Sequence, residues 1–287
     1  MPLYDLDESA ADGLESPLLV AAFDGWVDAG SAATTAVARM ADDGALVATF
    51  DGDALLDFRA RRPTLEIVDG RPDTLSWPSL TLRRSPTAGT NLLLLTGAEP
   101  DFRWNQLAAE VVELTRQLGV SSWISLGAIP AAVPHTRPVP ILGTQSTAGL
   151  LRGDVQAGPA GTLRVPAAFL SVLDHTIARA GIPALGYFAQ VPHYVTGAYP
   201  AASLALLTAV ERHVGVTLSP GTLTGEAVAL RSRLDRAAAS DADTRAHVER
   251  LEKMVDEARL PAGDELIGEI ERFLRDRSGG EPPERPN

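Results

Sequence analysis

Residues 18–30 read Leu18-Leu-Val-Ala-Ala-Phe23 followed by Asp24-Gly-Trp-Val-Asp-Ala-Gly30. A run of apolar residues that ends at a glycine turn predicts a strand buried on both faces, as in the middle of a parallel sheet. The alanine- and threonine-rich residues 29–41 predict a helix packed against that strand. A strand that delivers two aspartates and a tryptophan to a sharp turn before a helix is how α/β proteins build a site. We therefore expect the fold and the candidate site to be organised around this segment.

The length and composition are those of an ordinary soluble globular protein. With 287 residues, 45% of them hydrophobic and 22% charged, the chain has room for one large α/β domain or for one domain with an appendage. Its apolar runs are far shorter than the roughly 20 residues that cross a bilayer, and its acidic N-terminus lacks the pattern of a signal peptide. We therefore expect a cytoplasmic protein.

Cysteine content and charge exclude several classes of function. The absence of cysteine removes disulfides, thiolate nucleophiles and cysteine-ligated zinc. Lys253 is the single lysine and lies in a charge-rich helical segment, so Schiff-base chemistry is not expected. The formal net charge is −12 without a basic stripe, and an acidic surface repels phosphate groups. Neither nucleic acid nor an anionic membrane is expected as a partner.

Apolar runs alternate with helical patterns along most of the chain. The predicted strands are residues 18–23, 46–50, 91–95, 123–126, 141–146 and 185–191, and the predicted helices are residues 29–41, 104–118, 166–180 and 200–213. Such alternation favours a largely parallel sheet with helices on both faces. The predicted fold class is therefore α/β, with a core domain over residues 1–216.

Residues 58–84 interrupt this alternation and predict an inserted β-hairpin. The first arm is Thr64–Val68, and Asp69-Gly70 is a hairpin turn signal. The polar residues 71–78 delay the second arm, which is predicted at 80–82. An insertion with an apolar face serves either as an oligomer contact or as a surface ornament, and the sequence leaves both open.

The last part of the chain predicts a helical appendage or lid over residues 217–277. Its first segment is dense in charge and carries one narrow apolar stripe, made of Val248, Leu251, Val255 and Ala258. A last helix is predicted after Asp264, which can cap it. The final residues 278–287, rich in glycine, proline and charge, predict a disordered tail.

Several phrases in this order resemble one family. They are Phe23-Asp-Gly-Trp-Val-Asp-Ala-Gly30, Leu95-Thr-Gly-Ala-Glu-Pro-Asp101 with Arg103-Trp104, Gly127-Ala-Ile-Pro-Ala-Ala-Val-Pro-His-Thr-Arg-Pro138, Val191-Pro-His-Tyr194, Tyr199-Pro-Ala-Ala202 and Glu269-Ile-Glu-Arg-Phe-Leu-Arg275. Their joint order and spacing are similar to the proteasome assembly chaperone 2 family in its actinobacterial branch, from about Leu18 to Arg275.

The resemblance implies a phosphorylase/hydrolase-like core, a hairpin used in oligomerisation, a C-terminal helical piece that covers a cleft, and trimers. The family name implies proteasome α-type subunits as partners. Some archaeal relatives dock on the proteasome through a hydrophobic-Tyr-X tail. The sequence here ends Glu284-Arg-Pro-Asn287, so docking by that route is not expected.

The candidate ligand or partner cleft lies where the predicted strands end. Its residues are Asp24, Gly25, Trp26, Asp28, Gly97, Glu99, Gly127, His135, His193 and Tyr194. Acid/base chemistry needs a carboxylate and an imidazole within hydrogen-bond reach, which Asp24 or Asp28 with either histidine would supply. A structural role competes at each position. Asp28 is well placed as a helix cap, and a histidine after proline is more often a packing element.

An anion pocket is a further alternative, with amides from the three glycines and a guanidinium from Arg103 or Arg137. We favour instead an ion pair of Arg103 with Asp101 or Glu99. No cofactor is expected, because no glycine-rich phosphate loop or nucleophile elbow follows a strand. A metal site made of two histidines and a carboxylate is conceivable but not expected, since the spacing of these residues in the sequence does not show that they meet in space.

The leading hypothesis from the sequence is a non-enzymatic, oligomeric, chaperone-like or partner-binding protein. The alternatives are a small-molecule hydrolase or phosphorylase-like enzyme with a lidded cleft, and a ligand sensor that performs no chemistry.

Overall fold

The computed structural model describes residues 2–87, 91–153, 155–158 and 161–258. In chain order its strands are β1 Tyr4–Leu6, β2 Leu18–Phe23, β3 Leu46–Phe50, β4 Thr64–Val68, β5 Arg71–Ser76, β6 Leu80–Arg84, β7 Leu92–Gly97, β8 Ser122–Ala131, β9 Ile141–Gln145, β10 Gln156–Ala157 and β11 Ala184–Pro192. Its helices are α1 Glu8–Ala11, α2 Ala32–Ala41, α3 Gly52–Leu55, α4 Trp104–Gln117, α5 Phe169–Arg179, α6 Pro200–Val214, α7 Leu223–Ser240 and α8 Ala242–Ala258. The last predicted helix and the predicted tail lie outside the described residues.

One large sheet organises these elements, in the order β1-β3-β6-β7-β2-β8-β11-β9-β10. Its centre, β7-β2-β8-β11, is parallel. The strands on either side join it antiparallel, through β6 and through β9. The predicted α/β class with a parallel centre is confirmed, and the antiparallel margins make the sheet mixed.

Helices cover both faces of this sheet because its central strands are apolar on both faces. Along β2, Leu19, Ala21 and Phe23 enter the core under α4 and α5, and Val20 and Ala22 enter the core under α2 and α6. Successive side chains of a strand point to opposite faces, so this one strand fills both cores. Its unbroken apolar run is the consequence.

The helix predicted after β2 begins later than expected. Residues 29–31 form a 3₁₀ turn, and α2 starts only at Ala32. Gly30 and Ser31 have φ of 66° and 48°, in the left-handed region that no α-helix passes through. The chain therefore makes a tight corner between β2 and α2.

The predicted hairpin exists, but its second arm was placed wrongly. β5 follows the Asp69-Gly70 turn directly and pairs antiparallel with β4 in a separate two-stranded sheet. The strand at residues 80–84 belongs instead to the large sheet, between β3 and β7. The error arose because β5 is polar and contains Pro72, which is tolerated in a strand whose edge is free.

The charge-dense segment near the C-terminus forms two helices. Asp241 is extended, with φ of −131° and ψ of 123°, and accepts a bond from the Thr244 amide at the start of α8. Val248 and Leu251 of the predicted stripe are buried. α7 packs on α6.

Within the described ranges, none of the helices combines the length and apolar character needed to span a bilayer. The domain division at residue 216 stays a prediction.

A substitution of Gly97 tests how closely the backbone of Ser79 packs against the end of β7. Its φ is 143°, and an added Cβ would lie 1.9 Å from the Ser79 carbonyl oxygen. We expect Gly97→Ala to lower the free energy of unfolding by roughly 3 kcal/mol or more in urea titrations, because backbone must move. The control Gly119→Ala, at φ 65° with no atom within 4 Å, should cost about 1 kcal/mol. Equal losses would contradict this account.

Candidate functional site

The first group of predicted residues lies where β2 and β7 end, side by side. Phe23 pairs with Gly97, so Asp24 leaves the sheet next to Glu99. The Asp24 carboxylate accepts the Glu99 backbone N–H at 2.9 Å and a bond from Arg61 at 2.5 Å. Arg61 also lies 3.8 Å from the Asp101 carboxylate. We call Asp24, Arg61, Glu99 and Asp101 the acidic edge.

Glu99 belongs to the acidic edge through its backbone, while its side chain supports a helix. Its Oε1 accepts the backbone N–H of Phe169, the first residue of α5, at 2.7 Å. A carboxylate at that position satisfies an otherwise unpaired amide and interacts favourably with the helix dipole. The expected ion pair of Arg103 with Asp101 or Glu99 is absent from the described structure, where Arg61 takes the place beside Asp101.

The predicted glycines provide space for close contacts. Gly25 has φ of 112°, and a Cβ there would lie 2.8 Å from Glu99 Oε2. A Cβ on Gly127 would lie 2.5 Å from the Phe188 ring. Both positions need glycine because a neighbour occupies the room that a side chain would take. These contacts account for the two glycines without an anion.

Asp28 is the cap that the sequence favoured. It is 8% exposed, and its carboxylate accepts the amides of Ala33 at 2.8 Å and Thr34 at 3.3 Å, together with the Thr34 hydroxyl. Burial raises the pKa of this carboxyl, and the bonds from Thr34 and Ala33 act in the opposite direction. Ser31 precedes α2 but makes no side-chain cap, so Asp28 performs that role from a distance.

The second group forms a separate histidine cluster, which we define as His135, His193, Tyr194 and His247. The Tyr194 hydroxyl lies 2.7 Å from His135 Nδ1 and accepts the His135 backbone N–H at 2.8 Å. His193 Nδ1 lies 3.1 Å from the Ala131 carbonyl oxygen. His247, contributed by α8, packs edge-on against the rings of His193 and Tyr194. The cluster therefore joins the loops after β8 and β11 to the C-terminal helices.

Helices α7 and α8 hold this cluster through charged contacts. Asp235 Oδ1 lies 3.2 Å from His135 Nε2, and Arg231 donates to the His135 carbonyl at 2.7 Å. Arg137, one of the two arginines considered for an anion pocket, pairs instead with Glu252 at 3.2 Å and with Asp256 at 2.7 Å. The buried His135 is thus fixed on both ring nitrogens.

The carboxylate–histidine pairs considered for acid/base chemistry do not form. Asp24 bonds to Arg61 and to a backbone amide, Asp28 bonds to α2, and the carboxylate beside His135 is Asp235. Among the described residues, no group of three or more histidine or acidic side chains is placed to hold a metal ion. Trp26 is 68% exposed and belongs to neither hydrophobic core. These bonds connect secondary-structure elements, and within the described part of the chain they bring no aspartate and histidine of the predicted cleft together.

The sequence missed the partners that fix both groups, namely Arg61, Arg231, Asp235 and His247. Arg61 stands in a short arginine-rich stretch before the hairpin, which was a weak signal. The other three lie on α7 and α8, far from His135 in the chain: Asp235, which accepts from His135 Nε2, is 100 residues away. No local pattern identifies such distant partners.

His135 makes stability depend on pH. Burial lowers its pKa from 6.5, the Arg231 charge lowers it further, and Asp235 and Glu252 oppose this. The unfolded chain therefore binds the proton more readily, and the contribution of neutral His135 is complete above pH 6.5 and lost as the pH falls below it. We expect the unfolding free energy of the wild type minus that of His135→Gln to be smaller at pH 5.5 than at pH 8. A constant difference would contradict the sign.

The chain is similar to one known protein family and to several solved structures. The model of the PAC2 family matches residues 22–238. A Corynebacterium glutamicum protein of unknown function is 28% identical, with a TM-score of 0.83 over 89% of this chain and 98% of that one. Mycobacterium tuberculosis Rv2714, also of unknown function, is 33% identical, with a TM-score of 0.82 over 95% and 92%.

A third similar structure is that of a protein whose name refers to a function. The Mycobacterium tuberculosis proteasome-assembly chaperone homologue Rv2125 is 33% identical, with a TM-score of 0.72 over 80% of this chain and 99% of that one. No curated protein matches the chain. The family match over most of the sequence confirms the resemblance drawn from the motifs, and we conclude that this chain belongs to the PAC2 family.

Proposed function

We propose that this protein is a non-enzymatic, oligomeric, chaperone-like protein that works by binding other proteins. The observation that carries the proposal is the exposed apolar surface of the hairpin β4–β5. Every residue of both strands is exposed, and the large side chains among them are Leu65, Ile67, Val68 and Leu75. Exposed apolar patches of this kind mark contact sites.

The hairpin also needs a partner for its own stability. A two-stranded hairpin alone is marginally stable in water, and β4–β5 forms its own sheet outside the large one. Its base is attached to the body of the protein, where the rings of Phe58 and Trp77 meet edge-on with centroids 4.8 Å apart. We propose that a second copy of the chain covers the rest, and that the complete assembly is a homotrimer.

The acidic edge extends this surface from the hairpin to the sheet. Arg61 ties the segment before β4 to Asp24, and the exposed rings of Trp26 and Phe102 flank the same edge. Aromatic side chains and arginine are enriched in protein interfaces and often lie near their centres. We propose that a different protein binds here. Proteasome α-type subunits are the first candidates, because the relative Rv2125 is named a proteasome-assembly chaperone homologue.

The second candidate function is a ligand sensor or small-molecule enzyme with α7 and α8 as a lid. It is favoured by a cavity of about 410 Å³ between these helices and the core, lined by His135 and Tyr194 from the core and by His247 from α8. Such a volume suits a small molecule. We rank this function second, because His135 is already bonded on both ring nitrogens and Asp243 is the single carboxylate among the described residues that line that cavity.

A charge on the hairpin should separate the copies. Ile67 and Val228 are both 63% exposed, but Ile67 lies on β4 and Val228 on α7. We expect the wild type and Val228→Lys to have the mass of a trimer in light scattering coupled to size-exclusion chromatography, and Ile67→Lys to have that of a monomer. A lysine buried in the contact would lose its hydrating water without gaining an opposite charge, and this cost disfavours association. An unchanged mass for Ile67→Lys would contradict the hairpin contact.

Capture experiments with tagged variants test whether another protein binds at the acidic edge. Tagged wild type and Val228→Lys should capture proteasome α-type subunits from the host, as identified by mass spectrometry. Loss of that capture in Trp26→Ala, with the trimer mass kept, would support binding at the acidic edge. Capture of no protein by the wild type would contradict the partner-binding function.

A further inference from the structure

A second cavity lies away from both the acidic edge and the histidine cluster. It has a volume of about 340 Å³ and is bounded by the flank of α5 and by strands β9 and β11. α5 packs against β11 and β8, and β9 continues the sheet beyond them. The space therefore opens between the helix and the outer strand. Its principal lining residues are Thr144, Ser146, Asp174, His175, Ala178 and Phe188.

Asp174 is the charged group at the base of this cavity. Its Oδ1 accepts a bond from the Trp123 indole N–H at 2.7 Å, and its Oδ2 accepts the Ser125 hydroxyl at 3.0 Å. An ionised carboxylate has about four acceptor sites, so each oxygen keeps one for a further donor. No basic side chain among the described residues pairs with it. Burial raises the pKa of Asp174 to about 7, against the bonds from Trp123 and Ser125.

Close packing next to Asp174 depends on a missing side chain. A Cβ on Gly186 would lie 2.6 Å from Ser125 Oγ and 2.7 Å from both Thr144 Oγ1 and the Phe188 ring. The backbone of Gly186 is an ordinary strand, so the glycine is needed for space rather than for conformation. Hydroxyl groups and an aromatic ring thus stand close together beside the carboxylate.

The polar groups suit a nitrogen-bearing ligand better than an anion. Asp174 would repel an anion, whereas a cation would supply the opposite charge that this half-buried carboxylate lacks. The Ser146 hydroxyl accepts the Ala184 amide at 3.0 Å and still has its own hydrogen to donate. Phe188, Ala178 and Leu185 give apolar area for a flat ligand body.

We propose that this cavity is a binding site for a small organic cation, an amine or amidine carried on a flat apolar body, with Asp174 as its counter-ion. The site is independent of the hairpin contact, because β9, β11 and α5 are distinct from β4 and β5 in both chain and sheet. Ligand binding here therefore needs no change in the number of subunits.

The test is calorimetric titration of the full chain with benzamidine, an aromatic amidinium of suitable size. Asp174→Asn should weaken binding on the order of tenfold or more, because a hydrogen bond to a charged acceptor is lost. Asp243→Asn, which removes the same charge from the other cavity, should bind like the wild type. This control separates the site from general attraction to an acidic protein.

Two further measurements keep the test independent of folding defects in Asp174→Asn. Ala178→Met fills the cavity from α5 without removing a bond to Asp174, and it should also weaken binding. Benzamidine stays protonated between pH 6 and pH 8, so its affinity should rise over this range as Asp174 ionises. The other titratable group lining the cavity is His175, and His175→Gln should keep that rise.

Three results would overturn the proposal. The first is the absence of benzamidine binding to the wild type at millimolar concentration. The second is equal binding by the wild type, Asp174→Asn and Ala178→Met. The third is an equal loss in Asp174→Asn and Asp243→Asn, which would assign binding to net charge.

Discussion

Burial of β2 on both faces is the constraint on which the rest of the structure depends. Its side chains fill two separate cores in alternation, so no polar group can lie along its length. The first polar side chain that the strand delivers is Asp24, at the carboxyl end of the sheet. Asp28 follows in the same corner, where the Val27 carbonyl accepts the Ala128 amide of β8 at 2.6 Å. The strand thereby determines both where polar groups collect and how the chain leaves the sheet.

The polar groups at this end of the sheet connect elements of the fold. Asp28 joins the corner to α2, Glu99 joins the turn after β7 to α5, and Asp24 joins β2 to Arg61 below the hairpin. His135 does the same for the C-terminal helices through Asp235. Each of these groups has a structural partner, which is the main reason for preferring protein binding to catalysis at this edge. The exposed apolar side chains of β4 and β5 have no such partner within the described residues.

Local sequence predicted the strands and helices well where apolar patterning dominates. β2, β3 and α4 were found with their bounds almost unchanged, because a buried strand needs a continuous apolar run and a surface helix needs one stripe. The corner at Ser31 was missed, since a left-handed serine has no sequence signal. β5 was missed because its stability comes from pairing and not from its own polar residues.

The candidate site was predictable only in part for a similar reason. Most residues at strand ends could be named from the sequence, although Gly127 lies inside β8 rather than at its end. The capping role of Asp28 followed from its place before a helix. Which of them meet depends on contacts between distant segments, such as Arg61 with Asp24 or Asp235 with His135. The sequence could not separate one cleft into an acidic edge and a histidine cluster.

The most direct test of the central claim, that the hairpin is a contact between copies, is hydrogen–deuterium exchange measured over a range of protein concentration. Amides of β4 and β5 should be protected at high concentration and exchange quickly after dilution below the dissociation constant of the assembly. Amides of β2 should stay protected throughout, because they lie inside the sheet. Fast exchange of the hairpin at every concentration, in a protein that is nevertheless oligomeric, would contradict the account.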